Sequence, residues 1–194
     1  MNQNFVLNMS SVVRRPWTLV THVFSVRGVL AARFLRALSH RPAAPQHQDG
    51  WHLFGNCLTL FFFGPEVALA MGAKRFLGLY ATSGLVAAAA QLASNPRGSS
   101  LGASGAINGV VAFSVLAAPW RLIIIPIEFI PIPMPAIAFG AMFVGKDALA
   151  LWNEWNWRSR IELPFGSRVG HGAHLGGALV GVAAFVASRG RFRM

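Results

Sequence analysis

Apolar residues in this chain run in long blocks, without the alternation of a half-buried strand or the one-sided stripe of a surface helix. Taking about 20 such residues as one crossing of a hydrocarbon layer, the blocks cover residues 52–72, 76–94, 102–119, 132–152 and 171–188. Their separators are polar or turn-forming: Gly72 to Arg75, Ser94 to Ser100, Pro119 to Arg121, the stretch 153–170, and a basic tail after Ser188. The pattern predicts an all-α, polytopic transmembrane helix bundle with five recognisable spans. The segment 122–135, LIIIPIEFIPIPMP, is apolar too, but its prolines at 126, 131, 133 and 135 exclude one regular helix. It is expected to run along the membrane interface before the next span begins.

Composition sharpens this picture. The chain is 54% hydrophobic and only 12% charged, with a mean hydropathy of +0.50, too apolar for the surface of a soluble domain of this length. Its net charge of +11 would suit nucleic acid, yet no basic stripe with interleaved aromatics is present. No nucleic-acid partner is expected, and the cations read as flanks of spans facing a lipid bilayer. Lys74, Arg75, Arg121 and the tail arginines fall on alternate connections and hence on one side; Arg158, Arg160 and Arg168 fall on the other and weaken the asymmetry. The lone Cys57 lies in an apolar run, which leaves neither a disulfide framework nor a paired-cysteine metal site.

Residues 1–51 differ in kind, with six arginines and no acidic residue before Asp49. No apolar run there is long enough to cross a bilayer. Val26 to Leu38 reads as a basic amphipathic helix suited to a membrane surface, and the whole resembles an arginine-rich, acid-poor targeting segment. The organisation is therefore an N-terminal loop segment over 1–51, a membrane core over 52–188 and a basic tail over 189–194.

Polar groups are costly inside a bilayer, so each is a functional candidate. Ser104 opens a span within LGASGAING, where the free N–H groups of a helix start favour a developing oxyanion. Alone, the tetrapeptide reads more readily as a small-residue packing seam. His174, within HGAHLGGALVG, alone reads as a helix-capping histidine. Their neighbourhoods change the balance: Gly105 and Gly109 follow the serine, and Gly177 and Gly181 follow the histidine. Small residues four apart let helix backbones approach closely, which would bring serine and imidazole within about 2.6 to 3.2 Å. His52 and Asn56 share one helix face at the opening of the first span and can donate to an oxyanion; interfacial capping is the alternative.

These residues resemble the rhomboid intramembrane serine proteases. The likeness rests on PWTLVTHVFS at 16–25, HLFGN at 52–56, FGPEVALAMGAKRFLGLY at 63–80, GASGAINGV at 102–110 and AHLGGALVG at 173–181. The stretch PIPMPAIAFGAMFVGKDALAL at 131–151, with GHGAHLGG after it, is similar to the mitochondrial, presenilin-associated rhomboid-like branch. The resemblance implies a six-helix bundle, in the mitochondrial inner membrane, that cleaves transmembrane protein substrates through a Ser–His dyad. On that basis Ser104 is the nucleophile and His174 the general base. His52, Asn56 and the backbone N–H of Ser104 form the oxyanion hole. Gly102, Gly105, Gly109, Gly177 and Gly181 pack near the site, and Glu66 braces the loop before the first recognised span. No cofactor, no metal and no carboxylate third member is implied. Lys146 and Asp147 read as a pair at the end of a span, without chemistry. The alternative is a catalytically inactive, Derlin-like protein that binds membrane helices, or an inactive truncated product.

The chain also departs from the family. Only 15 residues precede PWTLVT, where the family's first helix belongs, so that helix is expected to be missing. Thr18 stands where many members have arginine, and Asn108 where many have an aromatic residue stacking on the histidine. Residues 26–46 form an extra segment; without them the sequence reads THVFSHQDGWHLFGN, continuous with the family pattern. A valine codon can begin with GT and a glutamine codon can end with AG, the intron boundaries. The hypothesis is that Val26 to Gln46 is a retained intron, and a spliced transcript that still encodes it would refute this.

Overall fold

The computed structural model describes residues 47–95, 103–127, 130–156, 170–188 and 191–192. Expectations about residues 1–46, including Val26–Leu38, 26–46 and PWTLVTHVFS, lie outside them, as do Gly102, Arg158, Arg160 and Arg168.

Five helices form in the five apolar blocks: α1 over His47–Met71, α2 over Ala73–Ser94, α3 over Ser104–Ala117, α4 over Ala136–Trp155 and α5 over His171–Ala187. The α1–α2 reversal takes a single residue, Gly72, at φ 84°, a left-handed conformation that only glycine adopts without penalty. α1 and α2 contain apolar stretches long enough to cross a membrane, while α3 and α5 are shorter apolar helices. The fold is the expected helical membrane bundle. Large apolar side chains on its outside, among them Phe61, Phe62, Leu69, Leu77, Leu179 and Val186, are exposed. Hydrocarbon rather than water is the solvent such a surface fits.

The proline-rich segment is a hairpin, which the sequence left undefined. β1, Leu122–Ile127, pairs antiparallel with β2, Ile130–Pro135, and Pro126 stands opposite Pro131. A two-stranded ribbon has only edges, and edges tolerate residues without a backbone donor. Its base closes on α4: Ala136 N–H donates to Arg121 O at 2.8 Å and Ile137 N–H to Pro119 O at 2.9 Å. The fourth span therefore starts at Ala136, later than the hydropathy block begins.

α3 is the hub. It packs against α1, α2 and α5, and Ile107, Val110, Val111, Phe113 and Val115 join Phe63, Val67 and Met71 of α1 in the core. Its 14 residues rise about 21 Å, short of the roughly 30 Å hydrocarbon thickness. Basic residues of alternate connections meet at the far end. The Arg75 guanidinium lies 5.9 Å over the Phe192 ring, Phe192 packs at 6.2 Å on Phe113, and Arg121 pairs with Glu66.

Candidate active site at the α3–α5 seam

The two glycine seams face each other. A Cβ on Gly177 would overlap the carbonyl oxygen of Gly105, and one on Gly181 that of Gly109. A Cβ on Gly109 would stand 2.9 Å from Gly177 O and collide with the Ser83 side chain of α2. Gly172 and Gly176 present the next face of α5 to Ser94 and Ala90 of α2. Three helices thus converge through residues that carry almost no side chain.

Ser104 and His174 sit at the head of this seam. Ser104 is the first residue of α3, where the opening N–H groups of a helix lack intrahelical acceptors. His174 lies in the first turn of α5, its N–H donating to Gly170 O at 3.1 Å, while Gln91 of α2 accepts from Ala173 N–H at 3.3 Å. The imidazole is buried, and its Nε2 lies 3.1 Å from Ser104 Oγ.

The opposite edge of the ring meets a residue to which the sequence assigned no chemistry. Asp147 Oδ2 lies 2.9 Å from His174 Nδ1, and Oδ1 lies 2.7 Å from His171 Nδ1 and 2.8 Å from Lys146 Nζ. An ionised carboxylate only accepts, so Nδ1 of His174 is the protonated nitrogen and Nε2 carries the lone pair facing the serine. The expected Lys146–Asp147 pair exists, but not at the end of a span: Asp147 lies inside α4 and is 1% exposed. The expectation of no carboxylate near the histidine is corrected with it. Hydrophobic spans hide such a residue because its partners lie 24 and 27 positions away. The available signal was a charge in mid-span, which a bilayer tolerates only when it is paired.

α4 also answers the departure at position 108. The ring of Phe143 stacks on that of His174, with centroids 6.2 Å apart and planes 19° apart. The aromatic face absent from α3 is supplied by another helix. Phe143 and Asp147 are one turn apart on one face of α4, and Lys146 Nζ lies 5.4 Å over Phe143. Asn108 instead lines a mainly apolar cavity of about 210 Å³ with Val111, Phe143, Asp147 and His174. Its amide nitrogen is buried without a hydrogen-bond partner among the described residues.

Glu66 has partners among the described residues. It lies within α1, accepting from Ser114 Oγ at 2.5 Å and from Arg121. It ties α1 to α3 and to the start of the hairpin, at the end of the bundle remote from Ser104; the loop it is expected to brace lies outside the described residues. Its contact also fixes a register. Asn56 precedes Glu66 by as many residues as Ser104 precedes Ser114, so Asn56, which is half-buried, comes level with Ser104 on helices running the same way. His52 is one turn before Asn56 in α1; its side chain lies outside the described residues.

A family model described as the Rhomboid domain matches residues 33–190. RHOMBOID-like protein 12, mitochondrial, of Arabidopsis thaliana is 32% identical over 78% of this chain and 46% of its own length. Rhomboid protein 1, mitochondrial, of Saccharomyces cerevisiae is 34% identical over 72% of this chain and 38% of its own. The chain spans less than half the length of either relative. No solved structure matches it. A helical membrane bundle, a domain match over most of the chain and relatives of this kind lead to one conclusion: the chain is a multi-pass mitochondrial membrane protein that belongs to the rhomboid family.

Proposed function

We propose that the chain is an intramembrane serine endopeptidase that cleaves transmembrane helices of protein substrates, acting in the mitochondrial inner membrane. The observation that carries the reading is the 3.1 Å approach of His174 Nε2 to Ser104 Oγ at the start of α3. A helix binder without activity has no use for an imidazole aimed at a serine hydroxyl.

In this mechanism His174 Nε2 accepts the Ser104 proton as Oγ bonds to the scissile carbonyl carbon, whose π electrons move to its oxygen. The Ser104 N–H at the helix start, with the side chains of Asn56 and His52, forms the hole that receives the oxyanion. Collapse breaks the C–N bond, and the proton on Nε2 passes to the leaving amine. Water then gives a proton to Nε2 and attacks the acyl carbon, and the proton returns to Oγ as the serine leaves. Substrates are helices with a locally unstable segment, because a scissile peptide must unwind to reach Oγ.

The test is labelling of the full chain, purified in detergent, by a fluorophosphonate probe that reacts with activated serines. Labelling that disappears in Ser104→Ala and His174→Gln is expected. Undiminished labelling of Ser104→Ala, or a parent that is folded yet unlabelled, would overturn the reading.

A further inference from the structure

We propose that Asp147 is the positioning residue of the general base, which makes the site a Ser104–His174–Asp147 relay of fixed tautomer and not an unsupported dyad. This rests on the reading of Ser104 as nucleophile and His174 as base, and adds the residue on which the base depends.

The division of labour between the two carboxylate oxygens carries the argument. Oδ1 takes both His171 Nδ1 and Lys146 Nζ, while Oδ2 is directed at His174 Nδ1. A carboxylate that served only to tie α4 to α5 would need the His171 contact alone. A neutral imidazole without a partner at Nδ1 divides between two tautomers, and in one of them Nε2 carries a proton and cannot accept that of Ser104. An acceptor on Nδ1 removes the unproductive tautomer. When the serine proton arrives, the imidazolium faces a carboxylate in surroundings of low dielectric, where a fixed charge acts most strongly. A bare carboxylate would be prohibitive inside the bundle; Lys146 and His171 make this one tolerable while leaving the second oxygen for the base. Phe143, one turn away on α4, stacks on the imidazole face and limits its rotation.

The experiment measures cleavage of a fluorogenic transmembrane peptide by the full chain in detergent, comparing the parent with Asp147→Asn, Asp147→Glu and Ser104→Ala. Asp147→Asn is expected to lower kcat by about 10²- to 10⁴-fold, with KM within about twofold. Asp147→Glu, which keeps the acceptor, is expected to regain at least about tenfold of that loss. An Asp147→Asn enzyme within about threefold of the parent, or one whose loss lies in KM and not in kcat, would overturn the proposal.

A second readout needs no variant to fold. In ¹⁵N-histidine-labelled protein at neutral pH, the neutral His174 ring is expected to carry its proton on Nδ1, and a ring protonated on Nε2 would overturn the assignment. Cleavage that persists in Ser104→Ala would refute the protease reading instead, and the tautomer measurement would still decide the role of Asp147.

Discussion

The backbone of Gly177 lies directly against that of Gly105, with His174 one turn before the contact on one helix and Ser104 adjacent to it on the other. The approach of imidazole to hydroxyl is thus set by two main chains, which cannot change rotamer. Small-residue seams of this kind supply close van der Waals packing where hydrocarbon provides no hydrophobic force between helices.

Gly177→Ala is accordingly expected to destabilise the protein by about 1–3 kcal/mol through overpacking and to slow serine labelling as α3 and α5 separate. Gly78 of α2, where an added Cβ meets nothing within 4 Å among the described residues, is the matched control. Gly78→Ala should change stability by no more than about 0.5 kcal/mol. Thermal denaturation in detergent decides the matter: equal melting temperatures for the two variants would contradict the seam's role.

Ser83 is a second probe of the same region. Its hydroxyl is fully buried, without a hydrogen-bond partner among the described residues, and packs on Gly109. Removing an unsatisfied polar atom while keeping the Cβ is nearly neutral or favourable, so Ser83→Ala should match or exceed the parent melting temperature. Ser83→Val adds bulk where Gly109 makes room for none and should melt lower.

Stacking of Phe143 on His174 gives a kinetic expectation. An aromatic contact is worth about 0.5–1.5 kcal/mol beyond burial; as transition-state stabilisation, that is roughly 2- to 10-fold in rate. Phe143→Ala should lower kcat by about that factor, and Phe143→Tyr should retain most of the rate. Steady-state cleavage of a fluorogenic peptide measures both, and a Phe143→Ala enzyme with undiminished kcat would remove the ring from the mechanism.

At the opposite end, the Glu66–Arg121 pair is about one-third exposed on both sides, so solvent screens it. A contribution of up to about 1 kcal/mol is expected, read as the coupling energy of a Glu66→Gln, Arg121→Met double-mutant cycle. Labelling of Ser104 per folded molecule should be unchanged in all three variants, because the brace lies far from the serine. Loss of labelling without loss of folded protein would show that the two ends communicate.

The bundle was legible because a bilayer imposes a simple rule: its spans must be long and apolar, whatever they touch. The hairpin was not. Prolines at 126, 131, 133 and 135 exclude a helix, but they do not say that Pro126 will stand opposite Pro131. The facing of α3 and α5 could be read from paired glycine spacings, which record close approach directly. Asp147 was hidden for the converse reason. Beside Lys146 it looks like a local ion pair, and nothing in the sequence reveals that 20-odd residues of intervening chain return His171 and His174 to its two oxygens. Phe143 was masked by abundance, one aromatic among 15 phenylalanines, and Glu66 by its motif, which gave its identity but not its partners.

Because Phe143 and Asp147 sit on one face of α4, their hold on the histidine has a phase. Each residue added to or removed from α4 ahead of Phe143 turns that face by about 100°, so a single insertion there withdraws ring and carboxylate together. Four insertions bring the face nearly back, displaced by a turn. Length changes in this helix are therefore heritable as a set of permitted steps, and point substitutions alone would miss that constraint.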